Sequence, residues 1–170
     1  MSGDKDIQDS SDMQHLQPIV TQILKGGNQL SIVKSALSYA DDIRRLRNDV
    51  RVQSGFLEQV CITEQEQISY MAKHHECYLV ALVANQFAGY AGAIDNDIRV
   101  CTHPDYQGLG VGKALIHAIC KRFPTAQARI KLENKASQAL FESCGFLQDG
   151  AQDGLIYYKQ SSSPPPNAMP

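Results

Sequence analysis

Hydrophobic and polar positions follow two different periods along this chain, and each change of period marks an element. Pro18 to Leu24 (PIVTQIL) reads as a short amphipathic helix, opened by the proline and closed by Gly26-Gly27. Leu30 to Ser35 reads as a strand. Ser38 then caps a helix that places Tyr39, Ile43, Leu46 and Val50 on one face. A loop, 51–62, leads to a capping box formed by Thr63 and Glu66. That box opens a helix whose Ile68, Met71 and Ala72 turn inward.

The middle of the chain switches to strands. CYLVALVAN and FAGYAGAI are consecutive strands turning at Asn85-Gln86, and Asp95-Asn96 turn the chain again into a third strand, Asp97 to Thr102. A helical period returns with Val111, Ala114, Leu115, Ala118 and Ile119 on one face, and Pro124 ends it. Ala126 to Glu133 alternates, with Ala126, Ala128, Ile130 and Leu132 facing in. A short helix from Ala136 to Cys144 stops at Gly145, which suits a left-handed cap. Phe146–Gln148 and Leu155–Lys159 pair as a closing hairpin, with Tyr157-Tyr158 as core and edge of the last strand. The order α β α α β β β α β α β β predicts a mixed α/β single domain over 15–160. The polar segment 1–14 and the Ser/Pro-rich tail 161–170 are expected to be disordered.

Composition narrows the function. The chain has 170 residues and a net charge of −2, with no basic stripe, so no nucleic-acid partner is expected. Its apolar runs are too short to span a membrane. The opening MSGDKD is neither a signal peptide nor a myristoylation site, since Gly3 is not at position 2. The five cysteines are an odd number without CxxC spacing, which argues against a disulfide scaffold and a zinc ribbon and fits a cytoplasmic protein. His74, His75 and Cys77 (HHEC) have the residue types of a metal site but no second ligand pair, and the plainer account is a helix end. No metal is expected.

The stretch DYQGLGVGKALIHA places Gly108, Gly110 and Gly112 between a strand and a helix. Strand, glycine loop and helix together make an anion-binding arrangement, because bare backbone lets amide N–H groups at the helix start point at negative oxygens. The nucleotide loops fail on the letters. Gln107 stands where a Walker A loop needs glycine, Ala114 follows Lys113 where Ser or Thr is needed, and Lys113 occupies the third glycine of a dinucleotide fingerprint. A glycine turn that merely packs tightly remains the alternative.

Gln107-x-x-Gly110-x-Gly112 resembles the Gln/Arg-x-x-Gly-x-Gly/Ala motif of the Gcn5-related N-acetyltransferases, and THPDYQGLGVGKAL is similar to that family's strand end, proline turn, pyrophosphate loop and helix. NKASQALFESCGF, from Asn134 to Phe146, is similar to the family's asparagine followed by a short helix ending in Gly-Phe. The resemblance is strongest over 78–147 and thinner over 29–77. It implies a mainly antiparallel sheet flanked by helices, and acetyl-CoA as acyl donor.

By this resemblance Gln107, Gly108, Leu109, Gly110, Val111, Gly112 and Lys113 hold the CoA pyrophosphate, and the backbone of Cys101 and Thr102 pairs with the pantetheine arm. Asn134, Ser137 and Phe141 lie along that arm, although Asn134 and Ser137 also suit helix caps. The family's proton-donating tyrosine is replaced by Phe141, which leaves Cys144, Ser143, water or an unassisted thiolate departure. Asp97 and Asp95 are candidate bases, with turn formation as the alternative, and Glu58 is a weaker one. Arg51 and Arg99 are candidates for an anionic acceptor, and His103 and His117 read as structural. The implied partner is a primary amine, a small molecule before a protein, and a homodimer stays open. A non-catalytic acyl-CoA sensor and a ligand-free interaction domain are the other classes.

Overall fold

The computed structural model describes residues 17–161, so the expectations for 1–14 and for 162–170 lie outside the described residues. Five antiparallel strands form one sheet in the order β1 (Val20–Ile23), β2 (Gln29–Lys34), β3 (Tyr78–Val83), β4 (Gln86–Ile94) and β5 (Asp97–Thr102). A second sheet has the order β6 (Ala128–Lys131), β8 (Leu155–Gln160) and β7 (Phe146–Gln152). Helices α1 (Ala40–Asn48), α2 (Val50–Gln53) and α3 (Glu64–His74) lie between β2 and β3 in sequence. The helix α4 (Val111–Arg122) joins β5 to β6, and α5 (Lys135–Ser143) joins β6 to β7.

The central strands are buried on both faces, which explains their nearly continuous apolar letters. Leu79, Ala81 and Val83 pack toward Val111, Leu115, Ile116 and Ile119 of α4. Their neighbours Tyr78 and Val80 pack toward Ile43, Leu46 and Met71 of α1 and α3. The face expected of α4 is buried throughout, and Val111, Leu115 and Ile119 on it contribute about 1.5–3 kcal/mol each.

The structure corrects several expectations. PIVTQIL is no helix; Val20–Ile23 is an edge strand paired with β2. Three of its four residues (Val20, Thr21 and Ile23) are β-branched, and Gly26 and Gly27, both at positive φ, turn a hairpin. Ser38 does not cap α1. It sits in a 3₁₀ turn, Leu37–Tyr39, and its hydroxyl is buried without a partner among the described residues. That first helix stops at Asp49, whose extended backbone and carboxylate start α2, leaving Val50 81% exposed. The capping box of α3 is present, but the helix is rotated: Gln67 and Met71 are buried, Ile68 is 43% exposed and Ala72 is exposed. The first central turn falls on Ala84-Asn85, one residue early.

Strand β6 is shorter than its alternation suggests, and Leu132 is 52% exposed. Buried Gln138 explains this, because its Nε2 donates to the carbonyls of Lys131 and Leu132 at 3.0 and 2.9 Å and bends the chain away. Replacing it strands both carbonyls. Gln138→Leu is expected to cost about 2–3 kcal/mol in urea unfolding; a loss under about 0.5 kcal/mol would mean that water takes over both bonds.

Candidate active site

The two sheets meet at one end only. Ile98 N–H donates to Gln127 C=O at 2.7 Å, Gln127 N–H donates to Asn96 C=O at 2.8 Å, and the Asp97–Arg129 ion pair at 2.9 Å clasps the same end. Among the described residues no further backbone bond joins β5 to β6. The strands therefore splay into a wedge that opens toward Thr102. Backbone alternation decides which groups face it. Cys101 C=O lies against Gly89 of β4, whereas Ile98 N–H points outward and Thr102 C=O accepts from the Gln107 side chain at 3.5 Å. The outward edge thus belongs to Val100 and Thr102. Cys101 instead turns its thiol into the core on the α1/α3 face, where burial pushes it up to about 12.

The glycine loop sits at the mouth of the wedge. Gly108 and Gly110 have φ of 76° and 94° with open space where a side chain would go, so they serve the backbone conformation. Gly112 does something else: a Cβ there would meet Leu140 at 3.0 Å and Thr102 Oγ1 at 3.1 Å, so its absence lets α4 pack against α5 and β5. Gly110 caps α4 without a side-chain hydrogen bond. The first intrahelical bond runs from Ala114 N–H to Gly110 C=O, so the amides of Val111, Gly112 and Lys113 have no partner among the described residues and carry the positive end of the helix dipole. Gln107 and Lys113 are exposed beside them, and Leu109 anchors the loop on the core.

Behind the wedge, on the α1/α3 side, lies a cavity of about 400 Å³. It brings together Asn134, Ser137 and Phe141 with Asp97, Arg99 and Glu58 from the sequence reading. Asn134 is a cap after all, accepting from Ser137 N–H at 3.1 Å, and its Nδ2 donates to Gly55 C=O at 3.4 Å, tying the 54–58 loop to α5. The Ser137 hydroxyl has no partner among the described residues and is free for a ligand. Phe141 is buried edge-on against Phe146 at 5.0 Å.

Other candidates are placed elsewhere or are already engaged. Asp95 and Asn96, at φ of 50° and 66°, form an exposed hairpin turn, and Asp95 lies about 20 Å along the strand from Thr102. Asp97 is held by Arg129. Cys144 does not line the cavity; it packs on the α4 side, where burial raises its thiol. Arg51 is taken by Asp49 and Asp105, at 2.6 and 3.3 Å. His103 Nδ1 accepts from Asp105 N–H at 3.2 Å, a turn-forming role, and His117 is exposed on α4. His74 closes α3, and the His75 ring lies 3.0 Å from Met71 C=O. A wider trough of about 1100 Å³, lined by Asp42, Asp49, His103 and Asp105 among others, shares no lining residue with this cavity.

The cavity wall also contains residues that sequence reasoning missed. Tyr70 and Tyr78 share a hydroxyl–hydroxyl hydrogen bond of 2.9 Å, and Arg99 Nη1 donates to Tyr70 at 3.3 Å. The rings of Tyr78 and Tyr90 lie 6.0 Å apart, tilted by 51°, and burial raises both hydroxyls. Gly92 makes room for Tyr78, because a Cβ at that position would lie 2.5 Å from the ring. Gln67 was the available signal: a polar residue at i, with Tyr70, Met71 and His74 at i+3, i+4 and i+7, marks a buried stripe with a polar purpose.

A mainly antiparallel sheet flanked by helices, opened at one edge beside a glycine loop, defines an acetyl-CoA-type acyltransferase fold. The chain belongs to the acetyltransferase (GNAT) family, whose sequence model matches residues 42–146. Solved structures with the same fold include YncA from Salmonella typhimurium with its cofactor acetyl-CoA, 18% identical, with a TM-score of 0.64 over 82% of this chain and 99% of that one. The ribosomal-protein-alanine N-acetyltransferase from Brucella melitensis is 19% identical, with a TM-score of 0.64 over 76% of this chain and 98% of that one. The spermidine N-acetyltransferase from Vibrio cholerae, in complex with CoA and spermine, is 17% identical, with a TM-score of 0.63 over 76% and 92%. No curated protein sequence matches the chain. No helix among the described residues is long and apolar enough to cross a membrane.

Proposed function

We propose that this protein is an N-acetyltransferase, working as one domain over 15–160, that moves the acetyl group of acetyl-CoA to a primary amine of a small molecule. The observation that carries this reading is the wedge between β5 and β6, with unpartnered amides at its mouth and a cavity behind it. The amides of the 107–112 loop and Lys113 suit a pyrophosphate, and the outward backbone of Val100 and Thr102 suits the pantetheine arm, added as a strand. Ser137 and Phe141 border that arm. No residue of this arrangement calls for a metal. Of two structural neighbours one is a ribosomal-protein-alanine N-acetyltransferase and the other a spermidine N-acetyltransferase, so the acceptor has to be argued from this cavity.

The step itself is simple. The neutral amine attacks the thioester carbonyl, an outward amide of β5 steadies the oxyanion, and the C–S bond breaks. The amine proton leaves to a base, for which Glu58 is available at the cavity without an ion-pair partner among the described residues. CoA departs as a thiolate of pKa about 8.5 and takes up a proton, so no tyrosine is required at position 141. The apolar Phe141 also favours a second reading, an acyl-CoA-binding module without turnover. The free cysteines fit a reducing, cytoplasmic setting.

The test is release of CoA thiol from acetyl-CoA when amines are supplied. Thiol release that depends on the amine establishes transfer. Tight acetyl-CoA binding with no release from any amine selects the binding module.

A further inference from the structure

We propose that the acceptor amine carries a carboxylate, seated by Arg47 and Arg99 in the cavity on the α1/α3 face; this rests on the acetyltransferase reading above. Five charged side chains line that cavity: Arg47, Arg99, Arg129, Asp97 and Glu58. Arg129 and Asp97 neutralise each other at 2.9 Å. Two guanidinium groups then remain against one exposed carboxylate, and neither has an acidic partner within ion-pair distance among the described residues.

Both arginines are half-buried, so water compensates them only in part. Arg99 spends its N–H donors on the hydroxyls of Tyr70 and Tyr78 alone, which leaves part of its fork free, and Arg47 lies 5.6 Å over the Phe56 ring with no hydrogen bond among the described residues. Both arginines line the same cavity, together with Tyr78 and Tyr90.

A second observation is independent of charge. Gln67 is 2% exposed, lines the same cavity, and its side-chain amide has no hydrogen-bond partner among the described residues. Among the described residues only the Ser35 and Ser38 hydroxyls are buried without a partner, so the Gln67 amide keeps contact with the cavity and is available there to water or to a ligand.

The planar guanidinium fork matches a carboxylate. At about 400 Å³ the cavity must also admit the thioester end, which leaves room for an acceptor of amino-acid size. The positive excess disfavours polyamines. Glu58, the only unpaired acid at this wall, would face the ammonium of such a zwitterion.

The test uses amino acids and their carboxamides as matched pairs, titrated calorimetrically into the CoA-saturated full chain and then assayed as acceptors. The wild type should bind the carboxylate at least about 10-fold tighter than the carboxamide. Arg99→Gln and Arg47→Gln should each weaken the carboxylate about 10–100-fold, change the carboxamide less than about 3-fold, and act on KM before kcat. Arg99→Lys should recover part of the loss, and unchanged acetyl-CoA affinity certifies the fold of each variant. Equal binding of both members of a pair, or a preference for polyamines, overturns the inference. The acetyltransferase reading falls separately, if no amine releases thiol even while the carboxylate preference holds.

Discussion

Gly110→Asp is expected to weaken acetyl-CoA binding at least about 100-fold while leaving thermal unfolding within a few degrees of wild type. Gly110 adopts φ 94° and ψ 4° at the start of α4, a left-handed conformation that aspartate tolerates better than most side chains. Nothing lies within 4 Å of a Cβ there, so no packing is disturbed. The carboxylate, however, would stand among the unpartnered amides and compete for them with a pyrophosphate. One such repulsion at about 4 Å is worth about 4 kcal/mol near a protein surface, more than a 100-fold loss requires. Gly110→Asn has nearly the same shape without the charge and should keep affinity within about 10-fold. Calorimetric titration of the three proteins separates charge from shape. Equal affinity in the aspartate variant would remove the pyrophosphate from this loop.

Gly89→Ala should have the largest effect on stability, roughly 3–5 kcal/mol in urea unfolding. Gly89 lies at φ 152° beside an irregularity in the β3–β4 register, where Ala88 is the extra residue. A Cβ there would meet Cys101 C=O at 2.5 Å and Thr102 Cα at 3.0 Å, both of them backbone that cannot step aside. The methyl group would press β5 away from β4 at Cys101 and Thr102, and the outward edge of Thr102 borders the wedge. Acetyl-CoA binding should therefore fall with stability. A loss below about 1 kcal/mol would show that the bulge relaxes freely.

Much of the architecture was legible because local chemistry and burial agree there. The α4 stripe, the Thr63–Glu66 box, the left-handed stop at Gly145 and the apolar strands β3 and β4 are consistent on every level. Elements failed where a second signal tied. Gly26-Gly27 ends a helix or turns a hairpin equally well, and only pairing with β2 decides for the strand. In α3 the helical period was correct but its phase was not, because the buried stripe runs through a polar residue, Gln67, which apolar periodicity does not mark. Leu132 alternated correctly with its strand, yet a remote side chain, Gln138, bends the chain before it.

The site divides in the same way. The glycine loop is contiguous in sequence, so its letters carry it. The cavity wall draws Arg47 from α1, Gln67 and Tyr70 from α3, Tyr78 from β3 and Arg99 from β5, and no local spacing connects them. Tyr78 and Gly92 illustrate the point, since their opposition across two strands is what gives the ring its place. Arg51 is not among the residues that line the cavity, and it is engaged by Asp49 beside it and by Asp105, 54 residues away.

The measurement that bears most directly on this account is calorimetric titration of the purified full chain with acetyl-CoA and with CoA. Binding at micromolar concentration to a single site is the predicted result, and it establishes the donor site on which the acceptor argument depends. Absence of heat at millimolar ligand, with the protein folded, would contradict it and leave the wedge without its occupant.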